Sequence, residues 1–371
     1  MNAISKKAVV LEDCGILCGL GELEETVTDL FEGASAIVPG PCFDVATAYA
    51  PFKNLAWRDL ESAAQDLAPC IDASALDKDA TTFIFCAAKG DLAPLEAYCA
   101  SQTPPGPFLP LLSSQADFAR SVLGVSSNRT IVVSNACASG ATGVEIAREL
   151  LVTECARTVV LFGFDGISRF VATGFHSLGA LSPLGARPFD ATRDGLSVGD
   201  GAAVATLTYR EQFSGDVIVA GAAGSNDANH RTGPSRTGDG LFRAARGALA
   251  DAHIAPADVG GVKCHGTATK FNDAMEAKAL VHLFGDEIPP CFSVKGAVGH
   301  TSGAGSLMEI CIAAECLRRR LAPPTAGFST LGVEEPIPVA DARQVLKSNS
   351  MLCLSAGFGG INEAVVLQEA R

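Results

Sequence analysis

One of the thirteen cysteines, Cys137, stands in a run of small residues, Ser134-Asn135-Ala136-Cys137-Ala138-Ser139-Gly140, directly after the apolar stretch Thr130 to Val133. A strand that runs through small residues into a helix puts the thiol at the helix start. There, unpaired backbone N–H groups and the positive end of the dipole favour thiolate and lower the thiol pKa. His265, in Lys263-Cys264-His265-Gly266-Thr267-Ala268-Thr269, occupies a similar strand-to-turn junction, with two hydroxyls able to bind a polar ligand. Asp273 and Glu276 follow three apart on the next helix, which Asn272 is placed to cap. His300 closes Ser293-Val294-Lys295-Gly296-Ala297-Val298-Gly299-His300 at a further helix start, where the dipole favours a neutral imidazole. Lys295 can hold a carboxylate such as Glu276. The turn Gly357-Phe358-Gly359-Gly360 presents backbone N–H groups to an oxyanion. A low-pKa thiolate, two imidazoles and a donor-rich turn are what acyl transfer followed by carbanion chemistry needs. A metal is the rival for Cys plus two His, but ligands spaced within one short segment are missing.

These residues need a frame of strands ending in turns. Short apolar runs at Thr82–Ala87, Thr130–Val133, Thr158–Phe164, Ala202–Thr208, Val217–Ala220, Val259–Lys263, Phe292–Val294, Met351–Leu354 and Ala364–Leu367 read as buried strands. Helical patterns cover Gly143–Leu151, Gly240–Ala250, Ala274–Leu283 and Ser306–Arg318. The alternation predicts an α/β fold with largely parallel or mixed sheets. The chain also resembles itself. Cys137 is followed at +2, +3 and +4 by Ser139, Gly140 and Ala141, and His300 at the same offsets by Ser302, Gly303 and Ala304. Gly163-Phe164-Asp165-Gly166 and Gly357-Phe358-Gly359-Gly360 then end a later strand in each half. Two βα-rich halves, 1–209 and 210–371, each placing a reactive residue at a helix start, are expected.

The chain has 371 residues, 48% of them apolar, and a formal net charge of −13, which suits a large folded core. That charge argues against nucleic-acid or anionic-membrane partners. The longest uncharged run, Ala97–Ala116, contains Pro104, Pro105, Pro107 and Pro110, so it cannot be a spanning helix. Glu12 and Asp13 interrupt any signal-peptide core after Lys6 and Lys7, and a cytoplasmic protein is expected. The cysteines are scattered without paired CxxC units, which predicts reduced, mostly buried thiols.

From Thr130 onward the sequence resembles the β-ketoacyl synthases, condensing enzymes of the thiolase-like superfamily. The match runs through Asn135–Gly140, Gly174-Phe175 with Leu178, Ala180-Leu181-Ser182, Arg187-Pro188-Phe189-Asp190, Arg193-Asp194-Gly195 and Gly199-Asp200-Gly201. It continues through Asp227-Ala228-Asn229-His230 with Thr232 and Pro234, His265-Gly266-Thr267, Ser293-Val294-Lys295, Gly299-His300 and Gly357–Gly360 with Asn362. Residues 1–129 match poorly.

The resemblance implies a five-layered α-β-α-β-α thiolase-like fold and a set of roles. Cys137 takes an acyl group from an acyl-carrier-protein thioester, and the N–H groups of Cys137 and Phe358 form the oxyanion hole. His265 and His300 assist decarboxylation of a malonyl extender, with Lys295 and Glu276 as a supporting pair. Thr267 and Thr269 bind the phosphopantetheine arm; Phe358 and Phe175 gate the acyl pocket, and Gly359 contributes to substrate binding. No metal or redox cofactor is implied. The partners implied are the acyl carrier protein and a second subunit, in a homodimer or a heterodimer with a chain-length-factor-like chain. Lacking a second Cys in a late CxG turn, the chain differs from degradative thiolases, and His300 separates it from relatives that use Asn there. It departs from the family pattern at Asp200, Ile361, Lys270 and Gly179, the last where relatives often carry a basic residue for the carrier. The clearest basic run, Arg318-Arg319-Arg320, sits at a predicted helix end, where the dipole alone accounts for it. A non-elongating acyltransferase or malonyl decarboxylase, or a regulatory subunit, could carry much of the same pattern.

Overall fold

A computed structural model describes residues 7–101 and 111–370. The proline-rich run at 104–110 and Lys6 lie outside the described residues. Ten strands form the path of the main sheet. They are β1 (Lys7–Cys18), β2 (Thr81–Cys86), β3 (Arg129–Val133), β4 (Thr158–Asp165), β5 (Gly201–Glu211), β6 (Val217–Asn226), β7 (Gly261–Lys263), β8 (Cys291–Phe292), β9 (Ser350–Gly357) and β10 (Ile361–Glu369). Their spatial order is β8-β7-β9-β10-β6-β1-β5-β4-β2-β3. Counted within each half, both run first-fifth-fourth-second-third outward from the centre. In both, the inner pairs are antiparallel and the outer pairs parallel. The halves join through one antiparallel bridge, Val10 to Ile218. The self-resemblance in the sequence is therefore a repeated topology. Its junction is the loop 212–216, just beyond the expected division, which cuts β5 two residues before its end.

Seven helices matter for the site: α1 (Leu60–Leu67), α2 (Leu112–Val122), α3 (Ser139–Val152), α4 (Arg169–Ser177), α5 (Asp239–Asp251), α6 (Lys270–Phe284) and α7 (Gly305–Arg318). Side chains alternate across each half-sheet and, away from the edge strand β3, are largely buried on both faces, as sheets covered by helices on both sides require. In β4, Val160, Phe162 and Phe164 face α1 and α2, while Val159 and Leu161 face α3. In β9, Leu352 and Leu354 face α5 and α6, while Met351 and Cys353 face α7. The layers are α1/α2, first half-sheet, α3/α7, second half-sheet, α5/α6, giving the expected five.

One strand was not foreseen. Glu12 and Asp13 interrupt the apolar pattern of β1, but a register shift between Leu11 and Asp13 forms a bulge there. Glu12 meets Arg210 on β5 at 2.6 Å, so its charge is compensated beside the sheet. Residues 293–294, expected as strand, leave the sheet early, and Lys295–Val298 form a helical turn.

The central layer is held by small residues. A Cβ on Gly140 would lie 2.3 Å from the backbone N of Leu307, and one on Gly303 would lie 2.3 Å from the backbone N of Ala88. The Gly140 N–H donates to the Gly303 carbonyl (3.1 Å) and the Ala141 N–H to Ser306 Oγ (3.0 Å). Gly140→Val should therefore destabilise the chain by about 1–3 kcal/mol, by pushing α3 off α7. Gly174→Ala in α4, where nothing lies within 4 Å, should be neutral or slightly stabilising. The two denaturant midpoints test this; equal effects would contradict the interlock.

Candidate active site

Cys137 lies in the 3-10 turn Ala136–Ala138 that leads from β3 into α3, and His300 sits at the corresponding place between β8 and α7. The residue before each has a left-handed backbone, Ala136 at φ 50° and Gly299 at φ 72°. For alanine that conformation costs about 1 kcal/mol and is kept because the surroundings fix it. Gly299 is required twice over, since Gly199 and Val198 press against it and a Cβ would meet the Val198 carbonyl at 2.9 Å. That approach lets the His300 N–H reach the Ser197 carbonyl at 2.7 Å and its carbonyl accept from Gly199 (3.0 Å), fixing the His300 backbone.

His265 is held by the helix that follows it. Glu276 accepts from the backbone N–H of His265 (2.6 Å) and Gly266 (2.8 Å), and Asp273 accepts from the N–H of Thr267 (3.1 Å) and Phe189 (2.7 Å). The spacing of the two acids along α6 is thus what wraps the turn. Burial pushes Asp273 up to about 6 and Glu276 up to about 7. Asn272 does not cap α6, which begins at Lys270, one residue after its N-cap Thr269; its amide meets Asp273 instead (3.3 Å).

The expected Lys295–Glu276 pair is not formed. With Glu276 engaged by backbone N–H groups, Lys295 Nζ pairs with Glu309 of α7 and approaches His265 Nδ1 at 3.5 Å. An ammonium can only donate, so Nδ1 is the acceptor and the proton of His265 sits on Nε2. Glu309 also holds Lys263 Nζ at 2.5 Å. Reading the sequence missed both Glu309 and Lys263. Their signal is a lone carboxylate inside the apolar run of α7 and a lysine ending the apolar strand β7.

These groups meet at one cavity of about 520 Å³ lined by Cys137, His265, His300, Thr267, Thr269, Phe175 and Phe358. The two imidazoles stand edge to face with centroids 5.6 Å apart. The Phe175 ring centre lies 6.2 Å from that of His300 and 5.7 Å from that of Phe358, on the cavity wall. Thr267 and Thr269 hydroxyls are 2.9 Å apart. Asp227 and His230 also line the wall, as do Gly179, Lys270 and the largely exposed Phe271. Gly359 is not among the lining residues. Its N–H donates to the Arg231 carbonyl (2.7 Å), so it shapes the turn rather than the cavity surface. Arg318, Arg319 and Arg320 are each paired, with Glu315, Glu24 and Glu369, and none lines the cavity.

Burial governs the electrostatics. It holds both imidazoles neutral, His265 well below the ordinary range and His300 at about 3, with Lys295 adding to both shifts. The neutrality expected of His300 has desolvation as its largest cause, and α7 begins only at Gly305, five residues on. For Cys137, a half-buried residue whose thiol faces the cavity, the shift runs opposite to the expectation: desolvation pushes the thiol up to about 12, against the pull of Lys295 and of the Phe358 N–H. The helix start does not offset the loss of water around a sulfur anion. Among the described residues no two cysteines form a disulfide. Among the described residues, no group of three His, Cys, Asp or Glu side chains is arranged to hold a metal, and no helix is long and apolar enough to cross a membrane.

The family models for the β-ketoacyl synthase N-terminal and C-terminal domains match residues 124–212 and 217–329, one in each half. The 3-oxoacyl-[acyl-carrier-protein] synthase 2 of Rhizobium meliloti is 33% identical over 71% of this chain and 65% of its own length. The chain belongs to the β-ketoacyl synthase family. A putative polyketide beta-ketoacyl synthase 1 of Streptomyces virginiae is 32% identical over 65% of the chain and 60% of its own length, so the match spans just under two thirds of each relative. The crystal structure of a β-ketoacyl synthase from Burkholderia phymatum superposes with a TM-score of 0.87 at 22% identity, covering 99% of this chain and 100% of that one. A ketosynthase solved in complex with its chain length factor, from Xenorhabdus doucetiae, gives 0.86 at 23% identity with full coverage of both chains. The fold is that of these ketosynthases.

With its thiol at about 12, Cys137 should react with iodoacetamide about tenfold faster per pH unit from pH 7 to pH 10, since only thiolate reacts. Peptide mapping of alkylated Cys137 measures this. A rate that levels off near pH 8 would show a thiolate already stabilised by the site.

Proposed function

We propose that the chain is a 3-oxoacyl-[acyl-carrier-protein] synthase. The observation carrying this reading is that one thiol, two neutral imidazoles and the Phe358 turn share a single cavity walled by aromatic and hydroxyl groups.

Acyl transfer begins as the Cys137 sulfur attacks the carbonyl of an acyl-carrier thioester. Its proton passes to a neutral imidazole, and the carrier thiol leaves with a proton. The oxyanion forms against the N–H groups of Cys137 and Phe358. A malonyl thioester then enters with its pantetheine arm against Thr267 and Thr269. Its carboxylate leaves as carbon dioxide, and the electron pair becomes an enolate whose oxygen receives hydrogen bonds from the His265 Nε2–H and from His300. Neutral imidazoles donate to that oxygen without first ion-pairing with the carboxylate that must be lost. The enolate carbon attacks the Cys137 thioester, expelling the sulfur and giving a 3-ketoacyl carrier thioester two carbons longer. Every step uses protein groups and carrier-bound substrates, and no metal or redox cofactor is invoked.

The partners in this reading are an acyl carrier protein and a second ketosynthase-like subunit. The outermost strand, β3, is partly exposed, with Val132 at the surface, and has β2 as its one sheet neighbour, leaving an edge for pairing. The Xenorhabdus complex motivates the heterodimer as an alternative to the homodimer. The working compartment is the cytoplasm, where such thiols stay reduced.

The test is incubation with acyl-carrier and malonyl-carrier thioesters and mass analysis of the product. A 3-ketoacyl thioester is expected, with acyl loading lost in Cys137→Ala and condensation reduced at least 10²-fold in His300→Ala while loading persists. Carbon dioxide with acetyl thioester alone would make the chain a decarboxylase. Activity only after adding a second subunit would establish the heterodimer.

A further inference from the structure

The buried charge cluster behind the imidazoles holds one group more than the reaction needs. Lys263 ends β7 and is completely buried. Its ammonium donates to Glu309 Oε2 (2.5 Å) and to the Leu354 carbonyl (2.7 Å), while Lys295 takes Glu309 Oε1. One carboxylate therefore bridges two lysines. The groups facing this bridge are Glu276 from α6, with Asp273 beside it, Cys353 from β9, Cys137 before α3, His265 just after β7 and His300 before α7. Both acids of α6 receive backbone N–H bonds, and burial holds the Cys353 thiol protonated. The carboxylate can neutralise one ammonium. The second ammonium, that of Lys263, shares this carboxylate and takes the Leu354 carbonyl, so it adds positive charge to the cluster behind the imidazoles.

We propose that Lys263 is a positioning residue for the condensation. It clamps Glu309 so that the other carboxylate oxygen orients Lys295 toward His265, and its charge keeps both imidazoles unprotonated while favouring anionic species in the cavity. This rests on the condensing reading above for its catalytic consequence, though not for its electrostatic one. Directions of the shifts agree. Glu309 is pulled below its ordinary value by the two ammonium groups despite burial, which alone would raise it. Lys263 counts among the charges that lower His265 and His300, whereas Glu309 raises His300.

Two substitutions of opposite sign test the proposal. Lys263→Met keeps the unbranched side chain but for its last atom and removes the positive charge; Glu309→Gln keeps both lysines and removes the negative one. Ring ¹⁵N shifts of His265 and His300, followed in the substrate-free protein from pH 7 downward, should show protonation beginning about one pH unit higher in Lys263→Met and lower in Glu309→Gln. The acid limb of malonyl-carrier decarboxylation should move the same way in each. Should one variant fail to fold, the direction of the other decides. Lower melting temperatures with ring titrations and acid limb unmoved would reduce Lys263 to a structural role and overturn the proposal. Ring titrations that shift as expected, in a chain whose wild type neither decarboxylates nor condenses, would uphold the charge effect and sink the condensing reading instead.

Discussion

Everything in the site depends on how closely two helix starts can approach each other. α3 and α7 meet backbone to backbone because Gly140 and Gly303 carry no side chain, and the two strand ends that cross over them are glycines as well. A Cβ on Gly163 would sit 3.2 Å from the Ala304 Cα, and one on Gly357 would sit 3.3 Å from the Asn135 carbonyl. Each half thus lays the end of its fourth strand against the helix start of the other. Cys137 is brought under the Phe358 turn by this crossing, and His300 beneath the first half. Asp165, at the end of β4, ties the arrangement by accepting from Ala304 and from the 88–90 loop.

Such tight packing excludes water, and that sets the chemistry. A helix start alone would favour a thiolate, but desolvation by the surrounding groups leaves a protonated sulfur and two uncharged rings. Buried carboxyl groups stand where something holds them: backbone N–H groups at Glu276 and Asp165 offset part of the burial that raises both, and two ammonium groups bring Glu309 below its ordinary value. An oxyanion or enolate formed in the cavity finds donors already in place, without the reorganisation that water would need.

Much of this was legible in the sequence. Cys137 and His300 stand in the same spacing pattern with Ser, Gly and Ala, which is the trace of the repeated topology, and apolar runs bounded by Gly located nine of the ten main strands in substance. What failed has physical causes. The bulge in β1 hides a strand behind two acids whose charges are matched only in three dimensions. The resemblance pairs Glu276 with Lys295, whereas its oxygens are taken by the backbone of the turn it wraps. Glu309, the real partner, lies fourteen residues beyond Lys295 in a different pattern, one that reads as an apolar helix. The thiol was misjudged because a helix start is visible in a sequence and the desolvation opposing it is not.

The convergence itself is tested most directly by the crystal structure of the chain carrying a carboxamidomethyl group on Cys137, whose amide oxygen mimics the carbonyl of a bound acyl group. That oxygen should lie within hydrogen-bond distance of the backbone N–H groups of Cys137 and Phe358, with both imidazoles facing the adduct. An adduct turned away from the Phe358 turn, or one formed only after α3 and α7 separate, would contradict the account.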